Sequence, residues 1–119
     1  MTIRAIHHVA LHVADLDRAT AFYAQAVGLT RLPRPKMPVN GAWFELGRSQ
    51  LHLIEGRADP LQSAVRGCHF AIEVDSVEAF GKRFEDYDVE VIKVTRRPDG
   101  GQQLFFKDSE GYVVELFEK

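Results

Sequence analysis

His8-Val9-Ala10-Leu11-His12-Val13 and His69-Phe70-Ala71-Ile72-Glu73-Val74 lie opposite each other when the chain is compared with itself. Both runs begin with histidine and alternate in the period-two manner of a β-strand. After each comes an acidic residue and a stretch with helical spacing of apolar side chains. These are Leu16, Ala19, Phe22, Tyr23 and Ala26 in the first half, and Val77, Phe80, Phe84 and Tyr87 in the second. Asp15, and Asp75 or Ser76, are suited to N-cap the two helices, and Gly28 to stop the first.

Three strand-like runs follow each helix. The first half offers Leu29 to Leu32, Ala42 to Leu46 and Gln50 to Glu55; the second offers Val89 to Thr95, Gln102 to Lys107 and Tyr112 to Phe117. Turn residues at Gly47-Arg48-Ser49 and Asp108-Ser109-Glu110-Gly111 join the last two runs of each half as hairpins. The order βαβββ therefore occurs twice. The pattern predicts one domain over 1–119, with module one at 1–55, a linker at 56–66 that contains Asp59-Pro60, and module two at 67–119.

Strand parity sorts the polar residues. Residues i and i+2 share a face, so Val9, Leu11 and Val13 meet the helix while His8, Ala10 and His12 face away. Phe70, Ile72 and Val74 divide from His69, Ala71 and Glu73 in the same way. In the closing strands, Leu51 and Leu53 alternate with His52, and Val114 and Leu116 alternate with Glu115. Four potential metal ligands, His8, His52, His69 and Glu115, thus occupy faces turned away from the helices. Imidazole nitrogen with one carboxylate suits a single divalent ion of Zn, Ni, Co, Mn or Fe better than Mg or Ca.

Composition narrows the partners. With 119 residues, 27% of them charged, and a net charge of -2, the chain has the make-up of an ordinary globular protein without the basic field that nucleic acid requires. No apolar stretch approaches the ~20 residues of a membrane span. The N-terminal run lacks the regions of a signal peptide, and Cys68 is the only cysteine. A cytoplasmic protein acting on a small molecule is expected, with no nucleic-acid or membrane partner. Cys68, of opposite parity to His69, is expected to face the core as a structural thiol.

The segments His8 to Leu16, Phe22-Tyr23, Val27-Gly28-Leu29, Leu51 to Glu55, Cys68 to Val74 and Asp108 to Leu116 together resemble the signatures of the vicinal oxygen chelate superfamily. That superfamily includes lactoylglutathione lyase (glyoxalase I), methylmalonyl-CoA epimerase, extradiol dioxygenases, fosfomycin-modifying enzymes and bleomycin-binding proteins. The resemblance implies an α+β fold whose two tandem βαβββ modules form a curved mixed sheet around a metal-binding cavity. It also implies metal ligation by His8, His52, His69 and Glu115, and a homodimer. At the position of His52, glyoxalases use glutamate and the epimerase glutamine, so the chain departs from both.

The activity implied is of the lactoylglutathione lyase type: a metal-dependent isomerisation through an enediolate or oxyanion, with Glu115 exchanging the proton. Three neutral histidines and one carboxylate give a divalent site a formal charge of +1, which favours an anionic intermediate. His12, Trp43, Glu45 and Phe105 are the expected substrate-binding residues, and Arg34, Lys36 and Arg97 lie on loops where a cation could meet a substrate anion. Two alternatives remain open. One is an extradiol-type dioxygenase with Fe(II) held by His8, His69 and Glu115; the other is a metal-free drug-binding protein resembling bleomycin-resistance proteins.

Overall fold

The computed structural model describes every residue, Met1–Lys119. Strand β1 (His8–Val13) leads into helix α1 (Leu16–Ala21), which continues as a π-helical segment, Phe22–Val27. Strands β2 (Arg31–Leu32), β3 (Gly41–Leu46) and β4 (Ser49–Glu55) complete the first module. The second repeats the order with β5 (Phe70–Glu73), α2 (Val77–Asp86), β6 (Val91–Arg96), β7 (Gln102–Lys107) and β8 (Val113–Glu118). The predicted βαβββ order is therefore present twice in an α+β fold.

Hydrogen bonds join the strands into two four-stranded mixed sheets, β1-β4-β3-β2 and β5-β8-β7-β6. In each, the first strand pairs in parallel with the last, and the other pairings are antiparallel. A parallel pair needs a crossover connection, and the helix of each module forms part of it. The chain divides into compact units Met1–Asp59 and Pro60–Lys119. The segment expected as linker is shared between them. Its later part is built into the second unit: Ser63 Oγ donates to the Cys68 carbonyl (2.9 Å) and accepts from the Val113 amide (2.8 Å).

In the first module, Val9 stands beside Leu51 and Leu11 beside Leu53. Leu11, Val13, Phe44, Leu51 and Leu53 are buried, with the helix packed on β3 and β4. Each large side chain so buried contributes about 1.5–3 kcal/mol. Asp15 caps the helix, accepting the Arg18 amide at 3.0 Å. The helix then widens, which lets Tyr23, Ala26 and Val27 all turn inward. Gly28 ends it in the left-handed region (φ 82°), and the amides of Gly28 and Leu29 both reach the Tyr23 carbonyl. Leu29 is thereby tied to the helix end, so β2 is shorter than the sequence pattern predicts.

In the second module Ser76 caps α2 by accepting the Ala79 amide at 3.1 Å, and Glu118 accepts the Val77 amide at 2.9 Å. Val77 and Phe84 are buried, Phe84 against the Phe106 ring at 4.7 Å. Tyr87, expected in the apolar stripe, is exposed: it lies at the helix C-cap, with the Arg83 guanidinium over its ring at 5.5 Å. The Val89 amide bonds the Phe84 carbonyl, so β6 starts two residues later than predicted and carries an irregular register between Val91 and Lys93.

Candidate functional site

Each module presents polar and aromatic side chains on the sheet face opposite its helix. In the first, His52 of β4 stands opposite Ala10 of β1 and Trp43 of β3. The small side chain of Ala10 leaves room for His8, two residues earlier on the same face. His52 is consequently sandwiched, stacked on His8 at 4.1 Å (13° between planes) and on Trp43 at 4.4 Å (9°). Its Nε2 lies 2.8 Å from Gln50 Oε1, and the Nδ1 atoms of His7 and His8 are 2.9 Å apart.

Burial first, then the charges of His8, His7 and Arg34, hold the His52 imidazole below its ordinary pKa. It is neutral at pH 7 and keeps a nitrogen lone pair, as a metal ligand must.

Glu45 is exposed and pairs across the hairpin with Gln50, which puts it on the same face as Trp43. His12, also exposed, shares the His8 face, and its Nε2 lies where a Cβ on Gly56 would come within 3.5 Å. Glu55 has the opposite parity from His52 and accepts from the Asn40 amide group at 3.2 Å.

In the second module, His69 immediately precedes β5, and Glu115 lies buried in β8 opposite Phe105 of β7. His69 Nε2 is 3.0 Å from Glu115 Oε1, and its Nδ1 is 3.2 Å from the Ala64 carbonyl oxygen. A carbonyl only accepts, so Nδ1 carries the hydrogen and a neutral ring turns its Nε2 lone pair toward Glu115. Lone pair facing carboxylate is repulsive unless a positive charge, a proton or a metal cation, is shared between them. The other oxygen, Oε2, accepts from Gln103 Nε2 at 2.9 Å. A histidine anchored through its second nitrogen, beside a carboxylate held by a further donor, is the support that metal ligands ordinarily have. The donor set therefore fits a divalent ion. Phe105 is buried with its ring edge-on to His69 at 5.5 Å.

The four expected ligands thus stand as two pairs, one in each module. No group of three or more histidine, cysteine or acidic side chains is arranged as a metal site. Cys68, expected to face the core, is exposed. Strand β5 begins only at Phe70, so strand parity does not extend back to Cys68. Arg97 is already engaged, bonded to Asp99 at 2.6 Å and lying 4.8 Å over the Phe117 ring. Gln50, Gln103, Ser63 and the Ala64 carbonyl were not singled out by sequence. Parity with His52 could have found Gln50, and parity with Phe105 could have found Gln103. A backbone carbonyl leaves no signal.

Residues 5–116 match the model of the Glyoxalase/Bleomycin resistance protein/Dioxygenase superfamily. The chain belongs to that superfamily. Among relatives within this superfamily or similar to the chain, methylmalonyl-CoA epimerase of Homo sapiens is 34% identical, over 93% of the chain and 72% of its own length. The crystal structure of lactoylglutathione lyase from Agrobacterium tumefaciens superposes with a TM-score of 0.78 at 32% identity, covering 99% of this chain and 96% of that one. Fosfomycin resistance protein FosX from Listeria monocytogenes shares the fold, with a TM-score of 0.81 at 23% identity over 99% and 95% of the two chains. The superfamily thus includes enzymes of several kinds. No helix of the chain is long and apolar enough to cross a membrane.

Proposed function

We propose that the chain is a metal-dependent enzyme of the glyoxalase type, acting on a small oxygenated substrate by moving a proton between neighbouring carbons. His8, His52, His69 and Glu115 are the ligands this reading assigns, and Zn, Ni, Co, Mn or Fe are the ions this donor set suits. The observation that supports the reading is the His69–Glu115 contact, an imidazole nitrogen and a carboxylate oxygen 3.0 Å apart with the other ring nitrogen anchored on the Ala64 carbonyl. When bound, a divalent ion supplies Lewis acidity, polarising substrate oxygens beside the carbon that loses its proton.

The rest falls to the side chains. Glu115 takes the proton from carbon and returns it to the adjacent carbon, the hydroxyl proton of the first carbon passing to the oxygen of the second, while Gln103 donates to Oε2 and so fixes the carboxylate plane. Neutral His52 adds no negative charge, leaving the ligand set more electrophilic than one with two carboxylates. Trp43, stacked on His52, and Phe105, edge-on to His69, are the apolar substrate contacts of this reading. His12 and Glu45 take the role of polar contacts to the substrate, and assembly as a homodimer belongs to the same reading.

A second reading has its own observation. The His8–His52–Trp43 stack is a flat aromatic surface, which suits sequestration of a planar ligand without metal. The two are separated by metal analysis of gently purified protein, followed by a screen of glutathione hemithioacetals, catechols and acyl-CoA esters with the metal found. Metal-dependent exchange of a substrate C–H for solvent deuterium supports the enzyme. Ligand binding that is indifferent to chelation favours sequestration.

A further inference from the structure

Arg34 lies in the loop between β2 and β3, and its Nη2 donates to the Val39 carbonyl at 2.7 Å, closing the loop on itself. A Cβ built on Gly41 would stand 3.0 Å from Arg34 Cζ and Nε, and would collide with the Leu53 carbonyl oxygen. The guanidinium therefore occupies the space that a side chain at Gly41 would fill. Gly41 shares its face with Trp43, and Trp43 is paired with His52. The cation consequently sits on the ligand face of the first module.

Nothing in the chain neutralises this cation. None of the ion pairs includes Arg34, and its Nε is buried without a hydrogen-bond partner. Arg97, the loop arginine of the second module, contrasts with it in having both a carboxylate and an aromatic ring. Nη2 keeps one further N–H and Nη1 two, and these are the donors left for an external acceptor. The planar N–H fork matches a carboxylate better than it matches a neutral carbonyl.

We propose that Arg34, seated on Gly41 beside Trp43 and His52, is the residue that recognises a carboxylate on the substrate. The substrate class is then a small oxygenated acid, held by its carboxylate at Arg34. This deepens the enzyme reading and rests on it for the identity of the reacting face. Gly41 is required by the Leu53 carbonyl, and the space it leaves is the space the guanidinium fills.

Trp43 is the only tryptophan of the chain, so its fluorescence reports on this face. The zinc-loaded full chain is titrated with lactate and pyruvate, and with the neutral analogues lactamide and methyl pyruvate. The acids are expected to quench Trp43 saturably, Arg34→Met to weaken them by about tenfold or more, and Arg34→Lys to weaken them less. The neutral analogues are expected to bind weakly and to be indifferent to either substitution. Equal affinity of the acids for wild type and Arg34→Met, or no binding of the acids to wild type, overturns the proposal. Circular dichroism checks folding, and should Arg34→Met unfold, Arg34→Gln decides in its place. Metal content is measured in parallel and the titration repeated after chelation. A wild-type chain that holds no metal sinks the enzyme reading, whereas the carboxylate proposal is judged by whether the acids bind wild type and lose affinity in the Arg34 variants.

Discussion

The His52 ring stacks on the His8 ring with centroids 4.1 Å apart and planes only 13° from parallel, and this contact makes two imidazolium charges incompatible. His52 is held below its ordinary pKa of 6.5 by burial, then by His8, His7 and Arg34. A histidine depressed in the folded state binds its proton more readily once unfolded. Its contribution to stability is therefore complete above about pH 6.5 and is lost as pH falls through the folded value. Urea midpoints between pH 8 and pH 5 should fall more steeply in wild type than in His52→Gln. Identical slopes would show that His52 is not perturbed.

Glu115 depends on Gln103 for the bond to Oε2. Replacing Gln103 by Leu keeps the volume near that of the amide but removes the donor, freeing the carboxylate to rotate. Metal affinity should drop by about 10–100-fold, the usual effect of losing a group that orients a ligand. Isothermal titration with zinc measures it, and an unchanged affinity would detach Gln103 from the site.

Ser63 links two segments of the second module by donating to Cys68 and accepting from Val113. Ser63→Ala leaves the Val113 amide without its partner, at a cost of about 1–3 kcal/mol in unfolding free energy. The same change loosens the turn that presents the Ala64 carbonyl to His69, so metal affinity should fall with stability. Chemical denaturation and metal titration of one preparation test both effects; loss of stability alone would confine Ser63 to the fold.

Much of this arrangement is legible in the sequence because strands repeat every two residues. His8 with Leu11 and Val13, and His52 with Leu51 and Leu53, announce their faces through alternation alone, whereas the parallel pairing that sets His52 beside Ala10 is given by the fold. Trp43 follows from His52 once the hairpin closes with Leu46 opposite Ser49. Legibility ends where periodicity does. Cys68 and His69 precede β5, Tyr87 lies at the end of α2, and the π-helical turn at Phe22–Val27 has no residue signature. The Ala64 carbonyl that fixes the His69 tautomer is equally silent, since every residue has a carbonyl.

His52 is the fourth member of the proposed ligand set. As a ligand it predicts that His52→Ala weakens metal binding, and that His52→Glu retains an ion while shifting preference toward harder ones. Competition between zinc and manganese reads the shift. Should both variants keep wild-type affinity and preference, His52 is a ring in the stack and not a ligand.

Metal content per chain tests the proposed ligands His8, His69 and Glu115 most directly. Elemental analysis of gently purified wild type should find a bound divalent ion. His8→Ala, His69→Ala and Glu115→Ala should each lose most of it while remaining folded, and Glu55→Ala, which lies on the other face with Asn40, should keep it. Wild type without metal even after reconstitution, or all three variants with undiminished metal, would contradict the claim.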